Sequence, residues 1–334
     1  MDDILKSGGK TENGGNVMLW IPVVIVAAAA LFLIVVFVAA NKIFDVAVNA
    51  KKTKKKVLET NANKSADGAG REKTEKERAN EWLRGQEFTI HSQRSRDGLL
   101  LVARELAAKE PSHLWAVCVH GFSGNGLNLG LAARHWHEQG WNVLLPDLRG
   151  SGDSEGDYYG MGWLDRHDII GWIRGTVLEK DPGAQVVLHG VSMGAATVMM
   201  TTGEQLPENV RAAVEDCGYT DVWEEFTIQL RKVFGLPQFP IMHIANIMAK
   251  RRAGYSFREA SSVRQVKKSR TPTLFIHGGE DTFVPFFMLD EVYGAAACEK
   301  EKLVVSGAQH GESVQLEPQR YWDTVHAFVG KYLN

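Results

Sequence analysis

The sequence predicts an α/β protein: a mostly parallel eight-stranded sheet with helices on both faces, preceded by one apolar helix. Three observations carry this prediction. From about residue 85 onward, short runs rich in Val, Ile, Leu and Ala alternate with helix-like stretches, the pattern of βαβ units. One strand-like run leads straight into Gly190-Val191-Ser192-Met193-Gly194 and then into a helix-like stretch. Far from these, residues 17–40 form 24 consecutive uncharged positions, nearly all apolar.

Composition narrows the function classes. With 334 residues and 44% hydrophobic content, the chain can build one large domain with appendages. A net charge of −2 gives no general attraction to nucleic acid, so none is expected as a partner. Cys118, Cys217 and Cys298 are an odd, sparse set without a C-x-x-C pair, which suggests neither a disulfide framework nor a zinc site. Cys118, in the apolar run WAVCVH, is expected to pack as a small hydrophobe. No phosphate-binding G-x-x-x-x-G-K-[ST] loop is present.

Residues 1–16 are polar and Gly-rich and are expected to be a flexible N-terminus. As a helix, residues 17–40 would reach about 36 Å, enough to cross a bilayer core of about 30 Å. Pro22 falls in the first turns, and Trp20 suits the interface. A cleaved signal peptide is the rival reading, since Val38-Ala39-Ala40 resembles a cleavage site. The length of the run and the lack of basic residues just before it favour an anchor. Lys6 and Lys10 precede the span, whereas Lys42, Lys51, Lys52, Lys54, Lys55 and Lys56 follow it. The positive-inside rule then places the C-terminal domain in the cytoplasm, at the cell membrane. Residues 41–80 read as a polar Lys-rich linker, partly helical between 72 and 84, with the globular domain at 81–334.

Within the domain, strands are expected at 88–92 and 99–106, an antiparallel start, and then at 114–120, 142–145, 186–189, 210–215, 273–277 and 302–305. Helices are expected at 127–139, ending at Gly140, and at 162–178, 285–297 and 318–333. Residues 219–270 interrupt the rhythm with two amphipathic stretches broken at 235–240. They form a candidate lid. Its Trp223, Phe226, Phe234, Phe239, Ile241, Met242 and Met248 either line an apolar pocket or pack onto the domain.

Ser192 lies on a strand-to-helix turn, where a G-x-S-x-G serine points its hydroxyl out of the sheet. A hydroxyl needs a base to take its proton, and that base needs a carboxylate to hold its tautomer. Asp281, in the loop after strand 273–277, is the expected acid; Glu280 and Asp216 are its decoys. His310, in the loop after strand 302–305, is the expected base. His120, His189 and His277 each end a strand beside a glycine, where an imidazole can brace a loop; His135 and His137 do not share a helix face and are poor metal ligands. An oxyanion hole needs two backbone N–H groups. Met193 should supply one and Phe122, within His120-Gly121-Phe122-Ser123-Gly124, the other. The loop 147–156 has phosphate-loop spacing, but its acids argue for a structural role in which Asp147 and Arg149 pair or cap backbone groups.

Residues of about 85–334 resemble the α/β-hydrolase superfamily, in a membrane-anchored bacterial-type subgroup similar to serine aminopeptidase-like and Bem46-like hydrolases. HGFSGN at 120–125, DLRGSGDSEG at 147–156, GVSMG at 190–194, GGEDTFVP at 278–285 and GAQHGES at 307–313 carry the resemblance. It implies a serine hydrolase working through an acyl-enzyme, without metal or organic cofactor. Carboxylic (thio)esters are the expected substrates because their leaving groups depart more easily, and the anchor and apolar lid suggest small-molecule or lipid-like acyl groups. A serine rather than aspartate at the elbow argues against dehalogenase and epoxide-hydrolase chemistry. The alternatives are a peptidase or amidase on the same residues, and a non-catalytic membrane-bound binding protein on a hydrolase fold.

Overall fold

The computed structural model describes residues 14–53 and 72–334. Residues 1–13 of the expected flexible N-terminus and the central part of the expected linker, with Lys54, Lys55 and Lys56, lie outside the described residues, whereas residues 14–16 of that expected tail already belong to a helix. Eight strands form one sheet: β1 (Thr89–Arg94), β2 (Leu100–Leu106), β3 (Leu114–Val119), β4 (Asn142–Pro146), β5 (Gln185–Val191), β6 (Val210–Asp216), β7 (Thr273–Gly278) and β8 (Lys300–Val305), in the order β1-β2-β4-β3-β5-β6-β7-β8. β2 is antiparallel to both β1 and β4, and every other pair is parallel. β3 lies between β4 and β5, so the winding reverses there. In open α/β sheets, the carboxyl ends beside such a reversal form the ligand crevice.

Strand periodicity divides the core in two. Trp115, Val117 and Val119 of β3 pack in one cluster with Leu144, Val186 and Leu188, whereas Ala116 and Cys118 pack in the other with Val143, Leu145 and Val187. Successive side chains point to opposite faces, so both faces must be covered by helices. The helices are α1 (Gly14–Ala47), α2 (Glu75–Arg84), α3 (Gly130–Glu138), α4 (Asp165–Trp172), α5 (Met193–Thr202), α6 (Val222–Phe234), α7 (Ile241–Arg252), α8 (Ser262–Val266), α9 (Phe287–Ala295), α10 (Ser313–Leu316) and α11 (Pro318–Val329). The expected helix at 162–178 starts later, at Asp165, and passes through a π-helical turn, Ile173–Val177.

Two N-terminal expectations need correction. The apolar helix does not end near residue 40. It runs to Ala47, and Val36, Ala40, Ile43, Phe44, Val48 and Ala50 are buried in the core cluster that holds Met242, Ala245 and Met248 of α7. The C-terminal third of α1 therefore docks on the domain. Lys51 and Lys52 are ion-paired with Asp157 and Asp45. The folded body also begins before Glu81. Thr74 and Glu77 form a reciprocal capping box that starts α2, and Ala79 and Leu83 are buried.

The lid expectation changes for the same reason. α6 and α7 exist, but Phe226, Ile241, Met242 and Met248 are buried in the cluster shared with α1, and Trp223 is packed against it. The docked helix thus packs along α7, and Phe226 of α6 packs on Phe257, while Phe234 and Phe239 stay exposed.

Candidate active site

The turn from β5 to α5 puts Ser192 at φ 58°, ψ −121°, a region that L-residues adopt only under constraint. The flanking glycines explain how the turn is reached. A Cβ on Gly190 would lie 2.2 Å from the Gly194 carbonyl oxygen, and one on Gly194 would lie 2.0 Å from that of Val119. The Ser192 N–H donates to the Asp216 carbonyl at 2.8 Å.

Three loops from distant parts of the chain meet at this turn. His310 Nε2 lies 2.8 Å from Ser192 Oγ, and its Nδ1 lies 2.7 Å from Asp281 Oδ2. Asp281 Oδ1 accepts the N–H groups of Phe283 (2.9 Å) and Val284 (3.0 Å). The acid and histidine loops are stitched together: Gly279 N–H donates to Val305 O and Glu280 N–H to Ala308 O. Gly278 permits this, since a Cβ there would lie 2.4 Å from the Ala308 oxygen. Burial alone would raise the Asp281 pKa, but hydrogen bonds from His277 and His310 outweigh it and hold the carboxyl down to about 2.

Gly121 brings the β3 loop against the serine, its Cβ direction ending 3.4 Å from Ser192 Cβ. Phe122 follows in that loop, its ring edge-on to Tyr159 with centroids 4.9 Å apart. Met193 is the first residue of α5, where a backbone N–H has no intrahelical partner. A cleft of about 890 Å³ opens over Ser192 and His310, walled by Gly121–Asn125, Phe283, Val314, Trp322 and three residues of α2, Lys76, Asn80 and Arg84. None of the seven apolar insertion residues lines it, so its wall is mixed in polarity rather than apolar.

Residues 116–324 match the Alpha/beta hydrolase family. The chain belongs to that family. YqkD of Bacillus subtilis, described as uncharacterized, is 27% identical over 213 residues, covering 64% of this chain and 70% of that protein. YfhR of Escherichia coli O157:H7 is 27% identical over 192 residues, covering 55% of this chain and 60% of that protein, so the match leaves two fifths of YfhR unspanned. A Pyrococcus furiosus esterase has the same fold, with a TM-score of 0.62 at 18% identity over 76% of this chain and 94% of the esterase.

The hydrolase uses its other expected residues in distinct ways. Asp216 is buried behind the elbow, and Glu280 is exposed. His120 takes the Leu148 N–H on Nε2 (3.0 Å), so its Nδ1 donates to Gly121 O (2.8 Å) and braces the Phe122 loop. His189 accepts the Trp136 indole N–H at 3.0 Å and faces the Tyr321 hydroxyl at 3.0 Å; burial holds its pKa down to about 3, so it stays neutral. His135 lies 2.7 Å from His326 and stacks on Trp322. Asp147 caps the Gly126 and Asp153 N–H groups, while Arg149 pairs with Asp168 and Asp97, so the two do not pair with each other.

Sequence reading missed two features of the hydrolase. His277 Nε2 lies 3.0 Å from Val284 O and 3.3 Å from Asp281 Oδ2; its place four residues before the acid at a strand end was the available signal. The second is the place of α2: the helical stretch expected within 72–84 forms, but it belongs to the folded body and walls the cleft rather than lying in a linker. Cys217, Asp281 and His310 each offer a donor atom within 4.8 Å of the others. Burial pushes the Cys217 thiol well up, and nearby Asp216 and Asp281 push the same way. Cys217 therefore remains a protonated thiol, and His310 and Asp281 are already hydrogen-bonded to each other, a poor donor set for a cation.

Proposed function

We propose that this protein is a membrane-anchored serine hydrolase that cleaves carboxylic (thio)esters of small or lipid-like acyl groups. The observation that carries the reading is the continuous contact Ser192 Oγ–His310–Asp281, at 2.8 and 2.7 Å, on a turn held at positive φ. With Asp281 ionised, His310 Nδ1–H donates to it and the Nε2 lone pair faces the serine hydroxyl. Ser192 Oγ attacks the acyl carbonyl as His310 takes its proton, and the N–H groups of Phe122 and Met193 hold the oxyanion. His310 then protonates the leaving oxygen or sulfur. A water, deprotonated by the same imidazole, releases the acid from Ser192. Removing one oxyanion donor costs on the order of 3 kcal/mol in such reactions.

Esters are preferred to amides because their leaving groups depart more readily, and the Pyrococcus furiosus neighbour is an esterase. Anchoring is favoured by α1, whose Trp20–Ala47 stretch is long and apolar enough to cross a membrane. A cut after Ala40 would also strip buried Val36 and Ala40 from the core. The domain is assigned to the cytoplasmic side from the lysines that follow the span. Protease added to intact cells should leave it uncut; cleavage from outside would reverse that assignment.

The test of the chemistry is a fluorophosphonate probe followed by a panel of p-nitrophenyl esters and aminoacyl anilides. Labelling at Ser192, lost in Ser192→Ala, with esters turned over and anilides not, is the expected result. Turnover of anilides would favour a peptidase or amidase. Equal labelling of Ser192→Ala would leave a binding protein on a hydrolase fold.

A further inference from the structure

We infer that the α6–α7 tip of this chain inserts into the lipid surface beside α1, so that the hydrolase domain lies directly on the bilayer. The inference rests on reading α1 as membrane-spanning. Along α1, every side chain from Trp20 to Val35 is exposed, and burial begins at Val36. The uncharged run to Ala40 is about 36 Å long as a helix, against a hydrocarbon core of about 30 Å. Packing on the domain therefore starts before the apolar run ends, with no spacer between bilayer and domain.

The direction of α7 tells which part of the domain reaches that level. Arg252, at its C-terminal end, donates to Asn41 Oδ1 at 2.8 Å and lies over the Phe44 ring. Ala253 shares a surface depression with Lys51. α7 thus runs beside α1 in the same direction, its C-terminal end towards residue 51. Its N-terminal end, with the tip 231–240, is carried towards the stretch of α1 whose apolar side chains are exposed. That tip presents Phe239 at 72% and Val233 at 65% exposure, with Phe234 beside them. Aromatic side chains flanked by the cations Arg231 and Lys232 suit the boundary between acyl chains and anionic headgroups. The tip is also tied to the site: Lys232 donates to Thr282 O, and Gln229 to Phe283 O at 2.7 Å. Phe283 lines the cleft.

The experiment uses the full chain, with Cys298→Ser to remove the one cysteine that is not buried. Phe239→Cys carries an environment-sensitive NBD label, and Glu208→Cys, exposed just before β6, is the control. Both are reconstituted in phosphatidylcholine–phosphatidylglycerol vesicles with and without brominated acyl chains. The expected result is blue-shifted emission at position 239, quenched by bromolipid and shielded from iodide, with the control in water. Water-like emission at 239 overturns the inference. So does shielding from iodide without bromolipid quenching, which would indicate contact with a second copy. Carbonate washing of the same vesicles separates the two readings. Release of the protein defeats the anchor; retention with a solvated label defeats only the tip.

Discussion

His277 Nε2 lies 3.3 Å from Oδ2 of Asp281, the oxygen that His310 engages at 2.7 Å. With the Phe283 and Val284 N–H groups on Oδ1, the carboxylate is held on both oxygens and cannot turn away from His310. Burial disfavours a charged His277, but Asp281 and the Val284 carbonyl raise its pKa above the ordinary value. Losing a hydrogen bond to a charged group costs roughly 1.5–3 kcal/mol, of which only part should reach the transition state. His277→Gln should therefore lower kcat by about tenfold with KM nearly unchanged. Asp281→Asn should cost far more, on the order of 10⁴-fold. Steady-state kinetics on a p-nitrophenyl ester checks both; a His277 variant that changes KM alone would show that the imidazole does not act through Asp281.

Glu215 predicts a pH-dependent stability. It is fully buried beneath the elbow, and burial pushes its pKa from 4.5 up to about 8. Because the folded pKa is raised, its contribution to stability is complete below about pH 4.5 and is lost as pH rises through about 8. Glu215→Gln keeps an oxygen for the Gly218 N–H, which Glu215 accepts at 3.0 Å, and cannot ionise. The variant should match the parent near pH 4 and melt higher at pH 8–9, by roughly 2–4 °C for each kcal/mol. Thermal scans across that range decide it. Asp281 has the opposite sign: held at about 2, its contribution is present above the ordinary carboxylate pKa and is lost as pH falls towards 2.

Legibility in the sequence followed the physics of each feature. The inner strands were readable because a strand covered on both faces is a short continuous apolar run, as in VVLHG of β5 and TLFIHG of β7, whereas the edge strand β1, TIHSQR, is polar and largely exposed. Ser192, Asp281 and His310 were readable because each sits in a Gly-bearing loop directly after such a run. The partner of an apolar helix leaves no such mark. Met242 and Met248 are apolar whether they face a substrate or α1, so the occupant of that face emerged only in three dimensions. The same holds for His277, whose second neighbour at Asp281 depends on how the loop folds back.

The elbow glycines give a paired prediction. Gly194→Ala places a Cβ 2.0 Å from a backbone oxygen of β3, and neither strand nor helix can move without opening the sheet. Loss of soluble protein, or a destabilisation beyond about 3 kcal/mol, is expected. Gly294→Ala, in the last turn of α9 with no atom within 4 Å of the new Cβ, should instead stabilise by about 0.4–1 kcal/mol by restricting the unfolded chain. Denaturant midpoints for the two variants should therefore move in opposite directions.

The last prediction concerns α2, which lies outside the matched family span of 116–324 yet walls the cleft through Lys76, Asn80 and Arg84. It is held at one close crossing. Asn80 Oδ1 accepts the Gly130 N–H at 2.9 Å, and a Cβ on Gly130 would sit 2.3 Å from the backbone of Ala79. Gly130→Ala should push α2 from α3 and speed trypsin cleavage at Arg84 by about tenfold, since loosened segments are cut through their open population. Ser192, His310 and Asp281 take their hydrogen bonds from other elements, so kcat should persist while KM for esters rises severalfold. Faster proteolysis with unchanged KM would make α2 a brace alone. A fall in kcat would mean that the crossing also positions the loop from Gly121 to Asn125, whose Asn125 side chain caps the short turn leading into α3.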